Sequence, residues 1–273
     1  MKRKITFAVV AVLLGVCLGM MGCHSEKPSK GTTECDSISI SRVETFTWDS
    51  INYSRKSGML NFAVKGVYPI SGPEHLVTSI QKWMNEMLGG SYQGEMSDTT
   101  ALLRHYAHET FAEFDSETLS FLEDMGTETE HSVEFQCAYD TDSLLTLLFS
   151  IYSYSGGAHG GYMFCGTTFR KSDGHRYGWD IVREDANLSE EIKRGLKTYF
   201  EIRTDEELSD CLMLEASLDT PPDVNKIPLP QSSPWLEADG LHFVYQQYEI
   251  ACYAAGLPAF VIPSDRMMRY IHL

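Results

Sequence analysis

Apolar and polar positions along the chain fall into runs of two different periods. RVETFTW (42–48) and MLNFAVKGVYPI (59–70) place β-branched and aromatic residues in alternation with polar ones, and predict strands. Pro69 and the SGP at 71–73 close the second run. The period then becomes helical. PEHLVTSIQKWMNEMLGG (73–90) has Pro73 at its start, Gly89-Gly90 at its stop, and Leu76, Ile80, Trp83 and Leu88 near one face. A second helix is predicted over 98–124, with Leu103, Tyr106, Phe111, Phe114, Leu122 and the adjoining Met125 at helical spacing.

Three strand-like runs follow at 130–140, 143–155 and 161–171, separated by DTD and GGAHG and closed by SDG, which predicts an antiparallel meander. The middle run, SLLTLLFSIYSYS, is apolar on both faces and belongs in the sheet interior. Residues 187–203 predict a helix capped by Asn187 or Ser189, and 206–214 a shorter one. A proline-rich loop (220–234), a hairpin turning at ADG (235–248) and a closing helix (263–271) complete the chain. Strands and helices do not alternate regularly and no internal repeat is present. The expected class is α+β, a largely antiparallel sheet with packed helices, in two linked halves, 41–171 and 172–273.

The first residues change the picture of where such a domain works. Lys2, Arg3 and Lys4 precede ITFAVVAVLLGVCLGMMG, a short apolar stretch ending in small residues, which is the layout of a secretory signal over residues 1–22. Gly22 then precedes Cys23, the expected lipidated first residue of a mature lipoprotein; Met20 stands where a lipobox has leucine. Acyl chains on Cys23 would hold it to membrane lipid at about 0.8 kcal/mol per buried methylene. Residues 23–40 read as a polar tether, and the expected location is the cell envelope, facing periplasm or cell surface.

Without the first 22 residues the chain carries 19 Lys and Arg against 38 Asp and Glu, which argues against nucleic acid as a partner. Cys35, Cys137, Cys165, Cys211 and Cys252 remain, an odd number with no CxxC, so their pairing stays open and no metal centre is expected. Cys137 and Cys165 lie in strand-like runs and read as small buried hydrophobes. His105 and Glu109, with His108 between them, share metal-like spacing, yet without HExxH they read as a solvated helix face.

Two stretches are more specific: YSGGAHG (154–160) and YQQYEIACYAAGLPAFVIP (245–263). Together they resemble a family of extracytoplasmic domains, found as the sensor of a lysozyme-sensing anti-sigma factor (RsiV-type) and beside the catalytic domain of peptidoglycan deacetylases (PdaC-type). In that family Ser155 is usually Thr and Cys252 usually Pro. The resemblance spans about residues 42 to 271 and implies a partner such as a lysozyme-like protein or a peptidoglycan fragment. A sigma-binding segment and a deacetylase domain are both missing from the pattern, so neither activity carries over.

Candidate site residues are therefore Gly156, Gly157, His159, Gly160, Tyr248, Glu249, Tyr253 and Gly256. GGAHG reads as a tight strand connection that His159 fixes by hydrogen bonding, as a nest of amides for an anionic group, or as the setting of a catalytic base. Glu249, flanked by apolar residues, needs a partner, either backbone amides or His159. The expected function is a lipid-anchored binding protein with no cofactor and no assigned catalytic residue. The alternatives are an enzyme on cell-wall sugar using His159 with Glu249 or Asp180, or a structural envelope component.

Overall fold

The structure is a computed structural model and describes residues 46–214 and 221–273. The signal segment, Cys23, the tether and Cys35 lie outside the described residues. β1 (Thr47–Ser57) and β2 (Leu60–Ser71) form an antiparallel hairpin around Gly58. The chain then runs through three helices, α1 (Glu74–Met87), α2 (Thr99–Ala112) and α3 (Ser116–Met125). It re-enters the sheet as β3 (Glu130–Asp140), parallel to β2. A parallel pair needs a long crossover, and the helices supply it. β4 (Leu144–Tyr154) and β5 (Gly161–Arg170) add on as the expected antiparallel meander, giving the order β1-β2-β3-β4-β5.

The apolar face read for α1 is buried through Leu76, Ile80 and Trp83, with Met84 beside them. These side chains and Leu102, Leu103 and Tyr106 of α2 meet Phe62, Val64, Phe135, Leu147, Phe149 and Phe169 of the sheet in one cluster. Downstream, α4 (Ser189–Tyr199) and α5 (Asp205–Cys211) accompany a second antiparallel sheet. That sheet is β6 (Trp235–Glu237), β7 (Gly240–Val244) and β8 (Ala259–Pro263), followed by the short α6 (Ser264–Met267). Ile192 and Leu196 of α4 close over Leu241, Phe243, Phe260 and Ile262 in a second cluster. The class is α+β, with six α-helices and eight strands in two sheets among the described residues.

The two sheets meet where β6 crosses β4 and β5. The buried Thr146 hydroxyl donates to the Leu236 carbonyl (2.6 Å), and Leu236 N–H donates to the Thr168 hydroxyl (2.9 Å). The two threonines also touch each other at 2.9 Å. Trp235 lies on Gly166 so closely that any β-carbon there would overlap its indole ring. The doubly apolar character of the middle strand follows: β4 is covered on one face by α1 and α2 and on the other by β6.

Four expectations are corrected. The helix expected over 98–124 is two, because the Asp115 side chain accepts from Thr118 N–H and caps a new start. Met125 is consequently exposed. The closing helix stops at Met267, and Ile271 instead bridges to Val182. β1 runs on to Ser57, well past the alternating apolar residues, because as an edge strand it buries only Ile51. Cys137 is exposed, whereas Cys165 is mostly covered and burial pushes its thiol up to about 11.

Replacing Gly166 by Ala should cost about 1–3 kcal/mol, the range for overpacking a filled interior. Gly161→Ala, where nothing lies near the added carbon, should change stability far less. Urea unfolding of the two variants measures the difference.

Candidate functional site

β4 ends at Tyr154 and β5 begins at Gly161, and the GGAHG connection between them is built on backbone freedom. Gly156 and Gly157 have φ of 94° and 99°, a region that costs an L side chain about 1–2 kcal/mol. The Tyr154 hydroxyl donates to the Gly157 carbonyl (3.1 Å) and braces the loop. Gly160 is buried against the Tyr152 ring, which leaves no room for a side chain. His159 is thereby turned out on the surface.

The second motif comes to meet it. In Tyr245–Glu249 almost every side chain has a separate bonding task. The Tyr245 hydroxyl donates to the Pro228 carbonyl (2.8 Å), and burial, with the charge of Glu249, holds its phenol pKa above the ordinary range. The Gln246 amide accepts from Phe164 N–H (3.2 Å) and donates to the Phe164 carbonyl (2.8 Å). Gln247 accepts from Tyr162 N–H (2.8 Å). Two side-chain amides thus occupy backbone groups on the open edge of β5, where a further strand would otherwise pair.

Glu249 takes the backbone-amide option. Its two oxygens accept from Gln231 N–H (2.6 Å) and Gln246 N–H (2.7 Å). His159 has other partners. Its ring stacks on Tyr253 with centroids 3.7 Å apart and 21° between planes. The Tyr253 hydroxyl donates to the Gly160 carbonyl (2.9 Å), and His159 Nε2 lies 3.5 Å from the Tyr248 hydroxyl. Tyr248 has φ of 64°, unusual for a bulky residue, and its side chain is 58% exposed. Such strain persists only where the surroundings hold it. Here the Glu249 carboxylate on Gln246 N–H closes the turn around Tyr248.

These contacts form the walls of an open cleft of about 540 Å³. His159, Tyr248 and Tyr253 line it together with Ser153, Tyr162 and Met163 and with Gln246 and Gln247. Tyr162 and Met163 are each 39% exposed. The lining is rings, amides, hydroxyls, glycine backbone and the apolar Ile151 and Met163, with no carboxylate among the described residues that form it. Five of the expected site residues, Gly160 among them, thus act together: His159 and Tyr248 and Tyr253 face the cleft, and Glu249 shapes the turn behind it. Gly256, with φ of 76°, ends the Tyr253 turn, whose Ala255 carbonyl accepts from the Tyr199 hydroxyl (2.6 Å).

Asp180 is elsewhere. It accepts from Gly178 N–H (2.6 Å) and pairs with His175 (2.8 Å), and it does not line this cleft. His105 and Glu109 both meet the Ser91 hydroxyl, His105 Nε2 at 2.8 Å. Glu109 reaches the same His105 nitrogen (3.4 Å) that faces Ser91, so it does not orient the ring from the far side as a nucleophile's base requires. Gln246, Gln247, Tyr162 and Met163 were missed by sequence reasoning. The adjacent glutamines directly after an apolar strand were the available signal.

Residues 180–265 match the family model DUF3298, a protein family of unknown function. That stretch includes Tyr248, Glu249, Tyr253 and Gly256 and stops short of GGAHG. No curated protein matches the chain. Among solved structures, a DUF3298-family protein from Bacteroides fragilis shares 20% identity over 85% of this chain and 95% of its own, with a TM-score of 0.66. A second, from Pseudomonas aeruginosa, shares 13% identity over 84% of this chain and 95% of its own, with a TM-score of 0.53. The likeness is one of fold.

Glu249→Ala should destabilise the protein by about 1–3 kcal/mol, because two amide donors lose a charged acceptor. Glu249→Gln, which keeps one acceptor oxygen, should cost less. Chemical denaturation of both variants gives the order.

Proposed function

We propose that this chain is a lipid-anchored protein of the bacterial cell envelope that binds a ligand in the His159–Tyr248–Tyr253 cleft and does not transform it. The observation that carries this reading is the cleft lining: exposed aromatic faces beside two side-chain amides, with no carboxylate among them. Aromatic faces take up the apolar faces of sugar rings, and the Gln247 side-chain NH2, which the bond to Tyr162 does not use, can donate to a hydroxyl or acetamido oxygen, so a cell-wall glycan suits the lining. Hydrolysis of a glycosidic bond would need a pair of carboxyl groups flanking that bond. Both oxygens of Glu249, the nearest motif carboxylate, are engaged by backbone amides.

The anchor rests on the signal-like residues 1–22 and on Cys23. No helix among the described residues is long and apolar enough to cross a membrane. A second reading, a lysozyme-like protein as ligand, is favoured by charge. The excess of 38 Asp and Glu over 22 Lys and Arg in the whole chain would attract a basic partner.

Calorimetric titration of the protein from residue 41 onward with muropeptides and with lysozyme tests the proposal. Binding without turnover is expected, and Tyr248→Ala should weaken it about tenfold or more, the equivalent of about 1.4 kcal/mol. Equal affinity of wild type and variant would move the site away from this cleft. Turnover of the muropeptide would replace binding by catalysis.

A further inference from the structure

The described residues contain four cysteines without a partner: Cys137, Cys165, Cys211 and Cys252. Sheet register separates the first two. Cys137 on β3 is opposite Leu147, while Cys165 on β5 is opposite Phe149. They are two strands and two residues apart. At about 4.8 Å per strand step, that is beyond the Cα separation of about 4.4–6.8 Å that a disulfide spans.

The other two are brought together by the fold. α5 ends at Cys211, and the chain leaves it extended at Leu212, with φ of −94° and ψ of 146°. Met213 N–H then donates to the Ile250 carbonyl at 2.7 Å. This bond pins the backbone two residues after Cys211 to the backbone two residues before Cys252. Leu212 and Ile250 are both buried in the second core, so the alignment is fixed by packing as well. Cys252 is exposed and Cys211 half-buried, which leaves the pair reachable from solvent. Burial, and then the negative charges around it, raise the pKa of the Cys211 thiol.

We infer that Cys211 and Cys252 are a disulfide site that fastens the turn carrying Tyr253 to the end of α5. The chemistry is thiol–disulfide exchange with a small-molecule or protein disulfide as oxidant. The exposed Cys252 thiolate attacks one sulfur of the oxidant, whose S–S bond breaks and releases a first thiol. The Cys211 thiolate then attacks the Cys252 sulfur of the mixed disulfide and releases the second. Two protein thiols lose their protons and two electrons, and the oxidant leaves as two thiols. Tyr253 follows Cys252 directly, so the cross-link would hold the ring that stacks on His159 from its other side.

The test needs no ligand, and so stands apart from the binding proposal. The full-length protein is equilibrated in an oxidised and reduced glutathione mixture at the poise of an oxidising compartment. Free thiols are then alkylated, and the protein is digested without reduction. The expected result is one peptide pair joining Cys211 to Cys252, lost in Cys211→Ser and in Cys252→Ser, with Cys165 remaining a free thiol. Alkylation of both Cys211 and Cys252 under these conditions, or their joining to other cysteines instead, overturns the inference. Circular dichroism of the two serine variants shows whether either loss reflects misfolding, and the wild-type result decides the question alone.

Discussion

The seating of β6 on the back of the main sheet is the constraint on which the rest of the molecule depends. Strand backbone is brought against strand face with its polar groups intact, and burying such groups unpaired would cost about 1–3 kcal/mol each. Thr146 and Thr168 remove that cost by meeting the carbonyl and amide of Leu236. Gly166 gives Trp235 its seat. These contacts set the position of the second sheet relative to β5. The candidate site opens at the edge of that same strand.

From this joint outward, the edge of β5 becomes a row of paired groups. Gln246 and Gln247 occupy the amides of Phe164 and Tyr162, and the Tyr253 hydroxyl meets the Gly160 carbonyl. The segment after β7 therefore closes the edge with side chains in place of another strand. Side chains leave gaps that a strand would fill. The cleft is such a gap, and its walls are rings already fixed for other reasons: Tyr253 by its hydroxyl bond, Tyr248 by the Glu249 turn, His159 by stacking. A rigid aromatic surface loses little entropy on binding, which supports the binding role proposed above.

Much of the fold was legible because it rests on local signals. The meander at β3–β5, the hairpin at ADG and the apolar face of α1 all follow from period and turn residues. What escaped depends on contacts between distant segments. Asp115 looks like one more polar residue on a helix face until its side chain is seen capping α3. The polar half of β1 carries no alternation because an edge strand needs little burial. The site was half legible. GGAHG and YEIACYAAG stood out as motifs, and Glu249 could be expected to need a partner. The stack of His159 on Tyr253 and the amide clasp of the two glutamines join residues 82 to 94 positions apart, which no local pattern reveals.

The central claim is that the two motifs form one physical unit, and a double-mutant cycle on stability between His159→Ala and Tyr253→Ala tests it most directly. The stacked pair predicts a coupling energy of about 0.5–1.5 kcal/mol, the range for interacting aromatic rings. Strict additivity of the two single substitutions would show that the stack does not couple the motifs, which would contradict the account.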